Sequence, residues 1–109
     1  MALPELKAVD LGGTPIAIRD TETDRPPLVF LHGMGGSSQS WAFQFRALAK
    51  HFRIIAWDMP GYGSSGGFER ENPTVEHYAH ALSAVLDTVG ALKAHIVGQS
   101  VAALIGASY

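Results

Sequence analysis

The sequence predicts an α/β fold in which a parallel sheet with crossover helices is entered through an antiparallel hairpin. Three observations carry that prediction. Short apolar runs recur at Leu28 to Leu31, Arg53 to Trp57 and Ala94 to Gly98, as expected of strands buried on both faces. Stretches with apolar residues at helical spacing separate these runs. Ahead of the first run, Gly12-Gly13 joins two strand-like segments. Strand and helix in strict alternation give a parallel sheet with right-handed crossovers.

Each element has its own justification. Leu6 to Leu11 and Thr14 to Arg19 flank the glycine pair, which supplies positive φ without steric cost and so reads as a two-residue hairpin turn. Asp20 to Pro27 is polar and ends in proline, hence a loop. Leu28-Val29-Phe30-Leu31 is the first buried strand, followed by a glycine-rich loop from His32 to Ser38. Residues 40 to 50 place Trp41, Phe45, Leu48 and Ala49 on one helical face, and Arg53 to Trp57 is the next strand. The segment Asp58-Met59-Pro60-Gly61-Tyr62-Gly63-Ser64-Ser65-Gly66-Gly67 holds too much glycine and proline for a regular element. Asn72 is expected to cap a helix beginning at Pro73, with Val75, Tyr78, Ala79, Leu82, Leu86 and Val89 on its buried face and Gly90 ending it. Ala94 to Gly98 forms the last strand, Ser100 sits at its end, and Val101 to Tyr109 begins a helix of small residues. No internal repeat is visible.

Composition bounds the function. A chain of 109 residues, 47% hydrophobic and 17% charged, buries one modest core, so it makes one domain or part of one. The net charge of -2 comes from 8 basic and 10 acidic residues scattered without long runs. No nucleic-acid or membrane surface is therefore expected, and small neutral substrates suit the chain best. Without cysteine, disulfides, thiolate zinc sites and a cysteine nucleophile are excluded. Residues 1 to 25 contain no apolar stretch of signal-peptide length, so the expected location is cytoplasmic. No pair of histidines or carboxylates has metal-ligand spacing, and neither metal nor cofactor is expected.

The chemistry concentrates in two places. Gly98-Gln99-Ser100-Val101-Ala102 falls where a strand turns into a helix, the setting that holds a serine on a strained turn with its hydroxyl above the sheet. The small residues around Ser100, continued by Ala103, Gly106 and Ala107, let the entering strand and leaving helix pass closely. The plainer reading of Ser100 is a helix cap. His32-Gly33-Met34-Gly35-Gly36 leaves another buried strand and brings backbone N–H groups to the carboxyl edge of the sheet, where open α/β folds bind ligands and where such groups can face an oxyanion.

These segments resemble the α/β-hydrolase superfamily. Leu31-His32-Gly33-Met34-Gly35-Gly36 is similar to its oxyanion loop, Trp57 through Ser65 to its loop after the fourth strand, and Val97-Gly98-Gln99-Ser100-Val101-Ala102 to its nucleophile elbow. The general look of the loops is similar to enol-lactonase-like and carboxylesterase-like members. The resemblance implies that Ser100 is the nucleophile, that the backbone N–H groups of Met34 and Val101 form the oxyanion hole, and that His32 braces the oxyanion loop. Gly33 and Asp58 are expected to support these loops, Asp58 by accepting hydrogen bonds from its own loop. Ala102 departs from the glycine more usual at its position. Ser100 argues against the dehalogenase and epoxide-hydrolase branches, which place aspartate there, and favours esters, lactones or related acyl and carbon–carbon bond substrates.

In this family the acid and the histidine follow the serine along the chain, and only nine residues follow Ser100. The expectation is therefore an N-terminal portion of an α/β-hydrolase fold, residues 1 to 109 forming a partial domain that is inactive alone. Ala94 to Gly98 would then be an exposed edge strand open to self-association. Of the histidines present, His95 opens the last strand, about 16 Å from Ser100 at ~3.3 Å per residue, His51 sits similarly low, and His77 and His80 belong to a helix. Only His32 shares an edge with Ser100, so a Ser100, His32 and Asp58 set is the sole improvised triad the order permits. Trp41, Phe45, Trp57 and Tyr78 read as core, while Tyr62 has two readings, substrate contact or packing.

Two rival functions compete. Gly33-Met34-Gly35-Gly36-Ser37-Ser38 after a strand, with Asp58 ending the next, approaches a dinucleotide-binding fingerprint but has Ser38 at its third glycine and leaves the Ser100 turn unexplained. A non-catalytic ligand-binding member of the same fold is the other.

Overall fold

The computed structural model describes residues 3–68, 73–91, 93–99 and 105–107. Its centre is one five-stranded mixed sheet: β1 (Lys7–Leu11), β2 (Thr14–Asp20), β3 (Pro27–Leu31), β4 (Arg53–Trp57) and β5 (His95–Gly98), in the spatial order β1-β2-β4-β3-β5. β1 pairs antiparallel with β2 and β2 antiparallel with β4, whereas β4, β3 and β5 run parallel. The hairpin turn is made by Gly12 and Gly13 at φ 60° and 97°, which is why the Leu11–Thr14 pair closes on two residues.

The apolar runs are continuous because the two faces of the sheet bury different residues. Val29, Leu31, Ile55 and Trp57 pack with Ile16 and Ile18 beneath α2 (Val75–Thr88), which contributes Ala79, Leu82, Val85 and Leu86. Phe30, Ile54 and Ala56 face the other way, against Phe45 and Ala49 at α1 (Ala42–Leu48). Successive strand residues point to opposite faces, so a strand covered on both sides shows no alternation.

The helix boundaries differ from the sequence reading in physically informative ways. The segment expected as one helix from residue 40 divides into a 3-10 turn, Ser38–Trp41, capped by Ser37, and then α1. α2 begins at Val75 rather than Pro73, because Thr74 is extended and accepts the His77 N–H, while His77 Nδ1 accepts the Thr74 N–H at 2.8 Å. That reciprocal pair is a capping box with histidine in the usual place of glutamate; Asn72, the expected cap, lies outside the described residues. The far end follows expectation. Gly90 takes φ 77°, and bonds from Ala91 N–H to the Leu86 carbonyl and from Gly90 N–H to that of Asp87 complete a Schellman motif.

β5 is less buried than its apolar sequence suggests: His95 and Val97 are exposed, Ile96 and Gly98 half-buried. Its one partner among the described residues is β3, so the strand forms the edge of the sheet. No described helix is long and apolar enough to cross a membrane.

Candidate active site

The carboxyl ends of β3, β4 and β5 lie side by side, so the loops leaving them converge. After β3, the Gly33 carbonyl accepts the Gly36 N–H at 3.0 Å, and Gly35 at the third position has φ 79°, the conformation a type II turn requires there. Gly36 is needed for space, since a Cβ would stand 2.9 Å from Ser40 Oγ and 3.2 Å from both the Gly33 oxygen and His32 Cβ.

His32, fully buried, locks this turn to the loop after β4. Its Nε2 accepts the Met59 backbone N–H at 2.8 Å, and its Nδ1 lies 2.8 Å from the Gly33 carbonyl oxygen. Because Met59 N–H can only donate and the Gly33 oxygen only accept, the network assigns the neutral tautomer with the proton on Nδ1. Both ring nitrogens are thereby engaged. The improvised Ser100–His32–Asp58 triad has no base, because no lone pair of His32 is left to take a proton.

The same bonds orient Met34. The Gly33 carbonyl is held inward by two donors, and the peptide joining it to Met34 is trans, so the Met34 N–H points outward from the turn. Among the described residues this N–H meets no acceptor, and Met34 itself is 72% exposed. A depression of about 180 Å³ lies against it, lined by Gly33, Met34, Gly36 and Gln99. Gln99 is fixed there by donating its N–H to the Leu31 carbonyl at 3.1 Å, one step beyond the Leu31–Gly98 register. Ser100 and Val101, which follow Gln99 directly, lie outside the described residues, as does Ala102.

Asp58, 2% exposed, is a second brace. Its Oδ1 accepts the Ser38 N–H at 2.7 Å and its Oδ2 the Ser64 N–H at 2.9 Å. Burial by itself would raise its pKa, but these N–H donors and the Ser38 hydroxyl outweigh it and hold the carboxyl below the usual carboxylate range. With its oxygens turned into the loops, Asp58 offers none to a ribose, and the dinucleotide reading loses its acidic residue. The expected bonds within its own loop are present through Ser64; the bond across to Ser38 was not foreseen. Sequence reasoning also missed Ser65, whose Oγ accepts the Ala17 N–H at 2.8 Å and donates to the Asp58 carbonyl. The paired serines at the end of the glycine loop were the available signal.

A separate apolar slot of about 200 Å³ opens beside Met34, between Met59, Tyr62, Val75, Tyr78 and Ile105. Tyr62 stands over His32 with ring centroids 5.8 Å apart, so it both packs and lines the slot. Burial pushes the Tyr78 phenol up, with Tyr62 adding to the effect. A larger cavity, about 600 Å³, lies at the other end of the strands near Lys7, Glu22 and Arg53. Its charges already satisfy one another: Arg53 Nε and Nη2 bond Asp20 at 2.9 and 2.6 Å, and Lys7 bonds Glu22 at 2.7 Å. Size therefore does not mark the site; the convergence of strand ends does. Among the described residues no three histidine or carboxylate side chains are grouped to hold a metal.

Comparison with known proteins is consistent with this geometry. A family model described as alpha/beta hydrolase fold matches residues 26–109. The chain is 38% identical over 89 residues to the protein named "Putative carbamate hydrolase RutD" of Agrobacterium fabrum, covering 79% of this chain and 33% of that protein. It is 37% identical over 95 residues to a 2-hydroxy-6-oxononadienedioate/2-hydroxy-6-oxononatrienedioate hydrolase of Paraburkholderia phymatum, covering 82% and 33%. Among solved structures, it matches a mutant N-acyl homoserine lactonase complexed with N-hexanoyl homoserine with a TM-score of 0.86 at 29% identity, covering 95% of this chain and 39% of that one. The chain spans about a third of the length of the curated relatives it matches.

Proposed function

The chain belongs to the α/β-hydrolase fold family, and from that premise we propose that it carries the nucleophile and oxyanion-binding part of a serine hydrolase acting on a small ester, lactone or related acyl substrate. The observation that carries the reading is the outward-facing Met34 N–H, fixed on a braced turn beside Gln99, the residue that precedes Ser100. A donor held in place before the reaction stabilises developing charge without reorganising.

In this reading Ser100 Oγ bonds to the substrate's carbonyl carbon while its proton passes to a base, and the resulting oxyanion accepts hydrogen bonds from the N–H groups of Met34 and Val101. The carbonyl re-forms as the alcohol leaves with that proton, giving an acyl-serine. Water then repeats the steps, releasing the acid and restoring Ser100. His32 is not the base, since both its nitrogens are spent on the loops. His51 lies just before β4 and His95 opens β5, both at the amino ends of those strands, while His77 is engaged with Thr74 in the capping box of α2. The 109-residue chain alone is accordingly proposed to lack turnover, the loss of a triad base costing on the order of a millionfold in kcat. The hydrolase names of the relatives support the reaction class.

The test is Ser100→Ala in the protein at its natural length, assayed with short p-nitrophenyl esters. Hydrolysis should vanish in the variant; wild-type rates would remove Ser100 from the mechanism.

A further inference from the structure

The turn that carries the Met34 N–H is held at its entrance by His32. Its exit is held by a different set of bonds, which begins on the sheet. Arg19 lies in β2 opposite Ala56 of β4, and its guanidinium spans two acceptors: Nη1 donates to the Pro4 carbonyl at 2.6 Å and Nε to Ser38 Oγ at 3.1 Å. Among the described residues no carboxylate pairs with this cation. Ser38, 1% exposed, opens the 3-10 turn that follows the glycine loop, and only Ser37 separates it from Gly36. Its oxygen accepts from Arg19, its hydroxyl donates to Asp58, and its N–H donates to Asp58 Oδ1 at 2.7 Å.

We infer that Arg19 is a positioning residue for the proposed oxyanion donor, acting on the Met34 turn through Ser38. This rests on the roles given above to Ser100 and the Met34 N–H. The backbone of Arg19 is fixed by its place between β1 and β4, whereas the loop after β3 has no ladder of its own. A planar guanidinium bonded at two of its nitrogens has little freedom left, so it carries the rigidity of the sheet to Ser38. The bonds run from cation to hydroxyl to carboxylate, and in such a series each member polarises the next. With entrance and exit both fixed, the turn cannot tilt, and a displacement of about 1 Å in a group that must meet the transition state can cost on the order of a hundredfold in rate. Lysine in place of Arg19 keeps the charge but has no planar fork to hold Pro4 and Ser38 at once.

Two measurements on the natural-length protein separate this role from the reaction itself. The first needs no turnover: the backbone amide signal of Met34 is compared by NMR in wild type, Arg19→Lys and Ser38→Ala without substrate. Both variants should displace it in the same direction. A Met34 signal that stays in place in Arg19→Lys would overturn the inference whether or not the protein hydrolyses esters. The second reads hydrolysis of p-nitrophenyl acetate, with kcat expressed per site titrated by a fluorophosphonate, so that misfolded protein does not count. Arg19→Lys should lower kcat about tenfold or more and leave KM within about twofold of wild type. In a Ser38→Ala background the same substitution should lower kcat no further, because the two residues act as one unit. An unchanged kcat in Arg19→Lys, or losses that multiply in the double variant, would overturn the role of Arg19 while leaving that of Ser100, tested separately by Ser100→Ala, intact.

Discussion

His32 accepts the Met59 N–H on Nε2 at 2.8 Å while its Nδ1 holds the Gly33 carbonyl at the same distance, so one buried ring joins the loop after β3 to the loop after β4. The outward direction of the Met34 N–H depends on that joint. Replacing His32 by alanine leaves the buried Met59 N–H without its partner, at about 1–3 kcal/mol, while the Gly33 carbonyl keeps the Gly36 N–H. We expect His32→Ala to lower the midpoint of chemical denaturation accordingly. In the natural-length protein it should lower kcat more than it raises KM. Undiminished stability would show that the ring does not brace the loops.

Gly63 has φ 52°, and a Cβ there would stand 2.5 Å from Asp58 Oδ2, a carboxylate oxygen already held by the Ser64 N–H. The carboxylate cannot swing aside without also releasing Ser38. Gly63→Ala should therefore cost about 1–3 kcal/mol, read from denaturant midpoints. The same change at Gly61, also at positive φ but with open space around its Cβ position, should cost less. Equal losses would show that backbone conformation alone, and not Asp58, sets the requirement.

The Asp20–Arg53 pair at the opposite end of the sheet governs acid stability. Burial raises the Asp20 pKa, but the Arg53 and Glu22 hydrogen bonds and the nearby positive charges outweigh it, and the net shift is downward. A carboxyl whose folded pKa is depressed contributes stability that is present above its unfolded value of about 3.9 and is lost as pH falls through the folded value. Asp20→Asn should flatten the acid limb of stability below about pH 4. At pH 7 it should cost about 1–3 kcal/mol by removing the charge that Arg53 pairs with, Arg53 keeping only its bond to the Val89 carbonyl. Wild-type and variant curves that stay parallel from pH 7 to pH 2 would contradict this.

β5 pairs on one side with β3 and ends the described sheet, and its Val97 is 38% exposed. An apolar strand with free N–H and C=O groups invites another strand. The 109-residue chain is expected to self-associate at micromolar concentration in sedimentation velocity, and Val97→Lys should reduce the association. A monomer that unfolds cooperatively with more than about 5 kcal/mol of stability would show that the edge is adequately protected.

How much of this was readable beforehand varied with the range of the interactions involved. β4 was legible to the residue because Ile54 and Ala56 face one core and Ile55 and Trp57 the other, leaving an unbroken apolar run. The hairpin and the Gly90 stop were legible because glycine at positive φ is a local requirement. The start of α2 was misread because proline at a first helical turn is a weaker signal than the reciprocal Thr74–His77 bonds, which depend on a histidine acting in the usual place of glutamate. β5 is the exposed edge strand expected of Ala94 to Gly98; that expectation came from the order of strands in the sheet, since an apolar run such as Ile96-Val97 does not itself say which neighbours cover it. In the loops, the sequence singled out His32, Gly33 and Asp58, and the structure gives His32 and Asp58 hydrogen bonds that hold those loops. The sequence could not reveal that Asp58 reaches Ser38 across twenty residues or that Met59 occupies His32, because both bonds join separate loops.

In the proposed reaction Ser100 is the nucleophile and the Met34 N–H serves its oxyanion. The most direct measurement is labelling of the natural-length protein with a fluorophosphonate, followed by mass spectrometric mapping of the adduct. One stoichiometric adduct on Ser100 is expected, formed together with loss of ester hydrolysis and absent in Ser100→Ala. Hydrolysis that survives in a protein fully modified at Ser100, or an inactivating adduct on any other residue, would contradict it.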